Sequence, residues 1–196
     1  MAQRRFSHAL AEGDGISVIA AVEDADSARS AEAERAEALV VRGDLGAVRA
    51  ASTLPILWRA PVDLERASAS ADAVMLVFDT FDDDDGRLEE LHQQALELGL
   101  DCAVEVRDEE ELEQALDRID PEIFLLSPDE REDDETQLDV VLALLAAVPA
   151  GKLAIADLPL TTADEVEELE RAGCDGVIVH GHDVAALVGE PPPAEV

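Results

Sequence analysis

The chain has 196 residues, of which 47 are acidic and 14 basic, and its formal net charge is −33. This excess of negative charge excludes nucleic acid as a binding partner, because phosphate backbones are bound by clustered Lys and Arg side chains. Since 47% of the residues are hydrophobic, the composition is that of a folded domain and not of a disordered segment.

The composition also indicates where the protein works. Lys152 is the only lysine, and aromatic residues make up only 3% of the chain. At about 1 M salt the Debye length is about 3 Å, so surface carboxylates scarcely repel one another. We therefore expect an extremely halophilic archaeal protein. Neither a secretory leader nor an apolar run long enough to cross a membrane occurs, which predicts a cytoplasmic protein without membrane contact.

Eight short apolar runs, each typical of a parallel strand that is covered on both faces, follow one another along the chain. They are residues 16–22, 37–41, 55–59, 73–78, 102–106, 122–126, 153–156 and 176–180. Helical periodicity and end signals lie between them, most clearly at 85–100, 108–119 and 161–174. The sequence predicts a single (β/α)8 TIM barrel at 1–188 and a loose, Pro-rich tail at 189–196. A doubly wound open sheet is the alternative, but its glycine-rich first turn is absent.

Polar side chains stand at the ends of these strands, where the functional residues of a barrel lie. They are Glu23, Arg42, Trp58, Arg59, Asp79, Glu105, Arg107, Ser127, Asp157, His180 and His182. We expect this ring to surround a pocket. Trp58 is expected either to stack on a ligand or to pack against the barrel wall.

Four segments carry a resemblance to a known family. They are "FSHALAEGDGISVIAAVEDADS" (6–27), "LPILWRAP" (54–61), the stretch from Ala71 to Leu116, and "IADLPLTTADEVEELERAGCDGVIVHGH" (155–182). Together they resemble indole-3-glycerol phosphate synthase. The resemblance implies a (β/α)8 barrel and an enzyme that closes an indole ring on an anilino-ribulose phosphate with loss of CO2.

The catalytic positions that the resemblance implies on the first, third and fifth strands are only partly kept. Ala21 and Glu23 stand where the family has Glu-x-Lys, and Arg59 stands for the Lys that serves as general acid. Glu105 is unchanged. At an effective dielectric of about 20, a charge pair at about 4 Å is worth about 4 kcal/mol, so Glu23 replaces attraction for an anionic substrate by comparable repulsion. Arg59 could hold an anion but could not release a proton near neutral pH.

The last three strands depart further from the family pattern. Ser127 replaces an Asn, Asp157–Pro159 replaces Glu-Ser-Gly, and His180–His182 replaces Gly-x-Ser. The small residues that would cradle phosphate are lost, and proline lacks an N–H. The loop after the first strand is also reduced to "DADSARS" (24–30).

The leading hypothesis is therefore a barrel that has lost the synthase activity and binds a small ligand or a protein partner, with a possible role in regulation. Candidate catalytic residues are Arg59, Glu105 and Asp157. Candidate ligand-binding residues are Glu23, Trp58, Ser127, His180 and His182. We expect neither a cofactor nor a metal.

Four alternatives remain open. One is a lyase or isomerase in which Glu105 and Asp157 form the acid/base pair while Arg59 holds an anionic substrate. The second is a residual enzyme of tryptophan biosynthesis, and the third is a structural or oligomerisation role. The fourth is a metal-dependent hydrolase, since His180 and His182 would face the same way on a continuous strand. A break at Gly181 would instead turn His182 outward.

Overall fold

The computed structural model describes residues 5–12, 15–59, 63–78, 86–128, 134–160 and 162–181, with the backbone alone at 134–136. In this part of the chain, helices and strands alternate. They are α1 (Arg5–Ala11), β1 (Ser17–Val22), α2 (Ala25–Ala33), β2 (Ala38–Val41), α3 (Leu45–Ala51), β3 (Ile56–Trp58), α4 (Leu64–Ser70), β4 (Ala73–Val77), α5 (Arg87–Glu97), β5 (Asp101–Val106), α6 (Glu109–Arg118), β6 (Ile123–Leu126), α7 (Asp134–Ala147), β7 (Leu153–Asp157), α8 (Ala163–Arg171) and β8 (Gly176–His180).

The eight strands form a closed parallel barrel in sequence order, with β8 pairing back onto β1. This confirms the predicted (β/α)8 barrel. Each strand end lies within one residue of its predicted position, because continuous apolar runs mark strands that are covered by the barrel interior on one face and by helices on the other. The predicted tail, 189–196, lies outside the described residues.

Alternation along the strands divides the core into two layers. Side chains such as Ile19, Leu57 and Ile155 fill the barrel interior, whereas Leu39 and Trp58 belong to the layer between barrel and helices. Successive strand side chains point to opposite faces, so Leu57 and Arg59 share the inward face of β3 and its extension.

Helix α1 closes the amino-terminal end of the barrel. Phe6 and Leu10 pack with the inner layer, and the backbone N–H of Ser7 donates to Oδ2 of Asp101, at the start of β5, over 2.8 Å. Any site reached from solvent through the barrel axis is therefore at the carboxyl end, where barrel enzymes place their functional groups.

The first two loops at the carboxyl end are short. Only Glu23 and Asp24 separate β1 from α2, because Asp24 caps the helix at once by accepting from the backbone N–H groups of Asp26 and Ser27. After β2, a Cβ atom on Gly43 would lie 2.6 Å from the carbonyl oxygen of Glu23. These two loops therefore pack directly against each other.

Cys102 and Cys174 are both buried free cysteines. Burial raises the pKa of each thiol to about 12, so both stay protonated and unreactive near neutral pH. Within the described ranges, no helix combines the length and apolar character needed to span a membrane.

Candidate functional site at the carboxyl end of the barrel

Arg59 joins two carboxylates across the barrel. It follows β3, where its backbone N–H donates to the carbonyl of Val41 over 2.8 Å. Its Nη2 donates to Oε1 of Glu105 on β5 over 2.5 Å, and its Nη1 donates to Oδ2 of Asp157 at the end of β7. The three side chains are between 6% and 14% exposed. The ion pairs are consequently shielded from water on most sides.

His180 extends this cluster to β8. Its Nε2 lies 2.6 Å from Oδ1 of Asp157, so both oxygens of that carboxylate have a partner. Burial alone would raise the pKa of Asp157, but the hydrogen bond from His180 and the charge of Arg59 outweigh it, and the net pKa lies below the ordinary value. Asp157 is therefore ionised at neutral pH and acts as an acceptor. The His180 side chain is 46% exposed and reaches solvent.

A cavity of about 450 Å³ opens beside this cluster, and we call it the mouth cavity. Its polar lining comes from Arg42, Arg59, Ser127, Gln137, Asp157 and His180. Its apolar lining comes from Pro128 and the loop 158–160 after β7. Glu105 is not part of the lining and reaches the cavity through Arg59. The volume is that of an ordinary small-molecule site.

Gln137 is a lining residue that sequence reasoning missed. It lies on α7, and although it is polar it is only 6% exposed. Helix α7 carries so many apolar residues that periodicity does not distinguish the side facing the cavity. Sequence alone therefore gives no sign that this polar residue is buried beside the cavity.

Other predicted site residues lie elsewhere. Glu23 lines a second cavity of about 430 Å³ between β1 and α2. Trp58 is 4% exposed in the outer layer, with the guanidinium carbon of Arg66 5.4 Å from its ring centroid. Packing against the barrel wall is thus the role its position supports. Asp79 and His182 lie outside the described residues.

The geometry also bears on the metal hypothesis. Strand β8 ends at His180, and Gly181 has φ 110°, so the extended chain breaks there. In the part of the chain that the structure describes, no group of three or more His, Cys, Asp or Glu side chains is arranged to hold a metal ion. Between Glu105 and Asp157, the guanidinium of Arg59 takes the place that a cation would occupy.

Comparison with known families decides the ancestry of this barrel. The family model described as indole-3-glycerol phosphate synthase matches residues 43–185. The chain belongs to the indole-3-glycerol phosphate synthase family. Curated relatives of that name include proteins from Halalkalibacterium halodurans, 31% identical over 144 residues (70% of this chain and 55% of the relative), and Salinibacter ruber, 36% identical over 122 residues (61% and 43%).

This synthase-family chain spans about half the length of the curated relatives it matches. A solved structure with the same fold is described as the N-acetylmannosamine-6-phosphate 2-epimerase from Clostridium perfringens. It has a TM-score of 0.70 and 12% identity, covering 85% of this chain and 86% of that one. At that identity the likeness concerns the barrel fold alone.

The loop after β7 departs from a phosphate-binding loop of the synthase family in its backbone donors. Pro159 has no N–H, and the N–H of Leu160 already donates to the carbonyl of Leu158 over 2.9 Å. The N–H of Thr162 donates to the Glu165 carboxylate over 2.8 Å within the capping box of α8. These donors serve the loop itself, so they are not available to an anion.

Proposed function

We propose that this member of the family lacks synthase activity and binds a small ligand in the mouth cavity. The observation that carries the proposal is the clamping of Arg59 between Glu105 and Asp157. The family resemblance implies a lysine general acid at this position. An arginine side chain does not release its proton in proteins, and here both ends of the guanidinium already bind carboxylates.

Charge and loop structure support the same proposal. Glu23 is exposed where the resemblance implies a lysine, so the entrance beside β1 is less favourable for a phosphorylated, carboxylated substrate. The backbone donors at 160 and 162 are bonded within their own loop and helix cap. Two sources of attraction for an anionic sugar phosphate are therefore replaced.

The geometry does not favour Glu105 and Asp157 as an acid/base pair. Both carboxylates accept from Arg59, and the lowered pKa of Asp157 makes it a poor carrier of a proton at neutral pH. Ligand binding needs no such proton transfer. Regulation through a protein partner is the wider form of the proposal, but a concave site of about 450 Å³ fits a small molecule better than it fits a protein surface.

The proposed setting is a salt-rich cytoplasm, so the test is made in molar KCl. Purified protein would be mixed with the anilino-ribulose phosphate substrate, and formation of the fluorescent indole product would be followed. The Salinibacter ruber relative is the positive control, and a cooperative unfolding transition shows that the protein is folded. We expect no turnover. Turnover by the unmodified chain would refute the loss of activity.

A further inference from the structure

We infer that the mouth cavity binds small carboxylates with an apolar body, and that each carboxylate binds together with a proton. This inference rests on the proposed ligand-binding role. Arg42 and the protonated form of His180 would hold the carboxylate. Both residues line the cavity, Arg42 is exposed, and His180 is close to half exposed. At the position of His180 the resemblance implies a glycine, so the histidine side chain is a feature of this chain.

The hydrogen bond to Asp157 determines what His180 offers a ligand. Because Nε2 lies 2.6 Å from the ionised carboxylate, it carries the proton in the neutral ring. Nδ1 is then an acceptor, and its lone pair repels a carboxylate. Protonation of Nδ1 turns it into a donor, so an anion can bind there only together with a proton.

The charges around His180 agree with a monoanionic ligand. Arg59, Glu105 and Asp157 form one cluster, and with Arg42, the residue after β2, the formal charges of these four side chains cancel. The other polar lining residues, Ser127 and Gln137, are uncharged. Among these described residues, protonation of His180 leaves one net positive charge, which a single carboxylate matches. The exposed Glu23 lies outside this set and lines the second cavity.

The cavity wall favours an apolar body on the ligand. Pro128 and the loop 158–160 supply its apolar surface. A phosphate would require several converging donors, and the N–H groups of Leu160 and Thr162 are bonded within their own loop and helix cap. A carboxylate needs fewer donors, and one arginine fork with one imidazolium N–H supplies them.

Calorimetric titration of the full-length protein with cyclohexanecarboxylate at constant KCl tests this inference. A histidine side chain is the one whose charge changes most readily between about pH 5 and about pH 8, so binding is compared at about pH 6 and at about pH 8. We therefore expect the Kd to rise about tenfold or more between these two pH values. Titrations in buffers of different ionisation enthalpy should show uptake of about one proton per ligand at the higher pH.

Variants locate the effect. His180→Gln should bind weakly at both pH values without pH dependence, and Arg42→Gln should weaken binding about tenfold at the lower pH. The matched controls are His8→Gln, on α1 at the other end of the barrel, and Arg29→Gln, which pairs with Asp26 on α2. Both controls should bind as the wild type does.

Several outcomes would overturn the inference. These are no binding of cyclohexanecarboxylate, pH-independent binding by the wild type, unchanged binding by His180→Gln, and inorganic phosphate binding as tightly as the carboxylate. Each of these results could be obtained with a protein that forms no indole product from the synthase substrate. Failure of this inference is thus distinguishable from failure of the proposed loss of activity, which turnover would reveal.

Discussion

Arg59 supplies the positive charge between two carboxylates that are each at most 7% exposed. Its planar fork presents separate N–H groups to Glu105 and Asp157, a geometry that a lysine ammonium could not reproduce. Taking these charges out of water is costly, so the cluster need not stabilise the fold relative to apolar residues. Removing one member, however, leaves an uncompensated charge.

We therefore predict that Arg59→Met lowers the free energy of unfolding by about 3–5 kcal/mol. The matched variant R59M/E105M/D157L removes the carboxylates together with the cation, and it should be about as stable as the wild type because no buried charge remains. Urea unfolding at constant KCl measures both. The explanation is wrong if R59M keeps wild-type stability, or if the triple variant is less stable than R59M.

At the scale of elements, the short connections after β1 and β2 shape the entrance at the carboxyl end of the barrel. Asp24 starts α2 immediately after the strand, and Ser27 completes a capping box by accepting from the backbone N–H of Asp24. The second loop fits against the first only because residue 43 has no side chain. The barrel entrance beside β1 and β2 is thus formed by these closely packed loops.

Gly43→Ala tests this contact. Its Cβ would lie 2.6 Å from the carbonyl oxygen of Glu23, and because that neighbour is backbone the two loops must separate, at a cost of about 1–3 kcal/mol in unfolding free energy. Gly46→Ala in α3 is the control, since its Cβ would lie 3.6 Å from Asp44 Oδ1, which is an ordinary van der Waals contact. That control should gain up to about 1 kcal/mol. Equal stabilities of the two variants in denaturant titrations would contradict the close approach.

At the scale of the whole molecule, the barrel could be predicted from sequence because continuous apolar runs and helix caps are local signals. Because functional residues of a barrel lie where its strands end, the sequence also predicted that Arg59, Asp157 and His180 surround one pocket, and all three line the mouth cavity. It could not show that Arg59 bridges two carboxylates, because side-chain pairing across a barrel depends on tertiary geometry. Period-two alternation places Trp58 and Arg59 on opposite faces, but it does not say which face is inside.

The net charge of −33 leads to a prediction for the entire fold. Compact packing brings the acidic surface together, so self-repulsion favours the unfolded chain unless salt screens it. Raising KCl from about 0.1 M to about 1 M shortens the Debye length from about 10 Å to about 3 Å. We expect the Tm to rise by about 10 °C, which for a chain of this size corresponds to about 3 kcal/mol of unfolding free energy.

Scanning calorimetry across a KCl series measures this change in Tm. Sucrose at matched osmolality is the control: it favours burial without screening charge, so it should raise the Tm less than KCl does. A Tm that is constant or falls with KCl would show that surface repulsion does not limit this barrel, and it would remove the main physical reason for assigning the protein to a salt-rich cell.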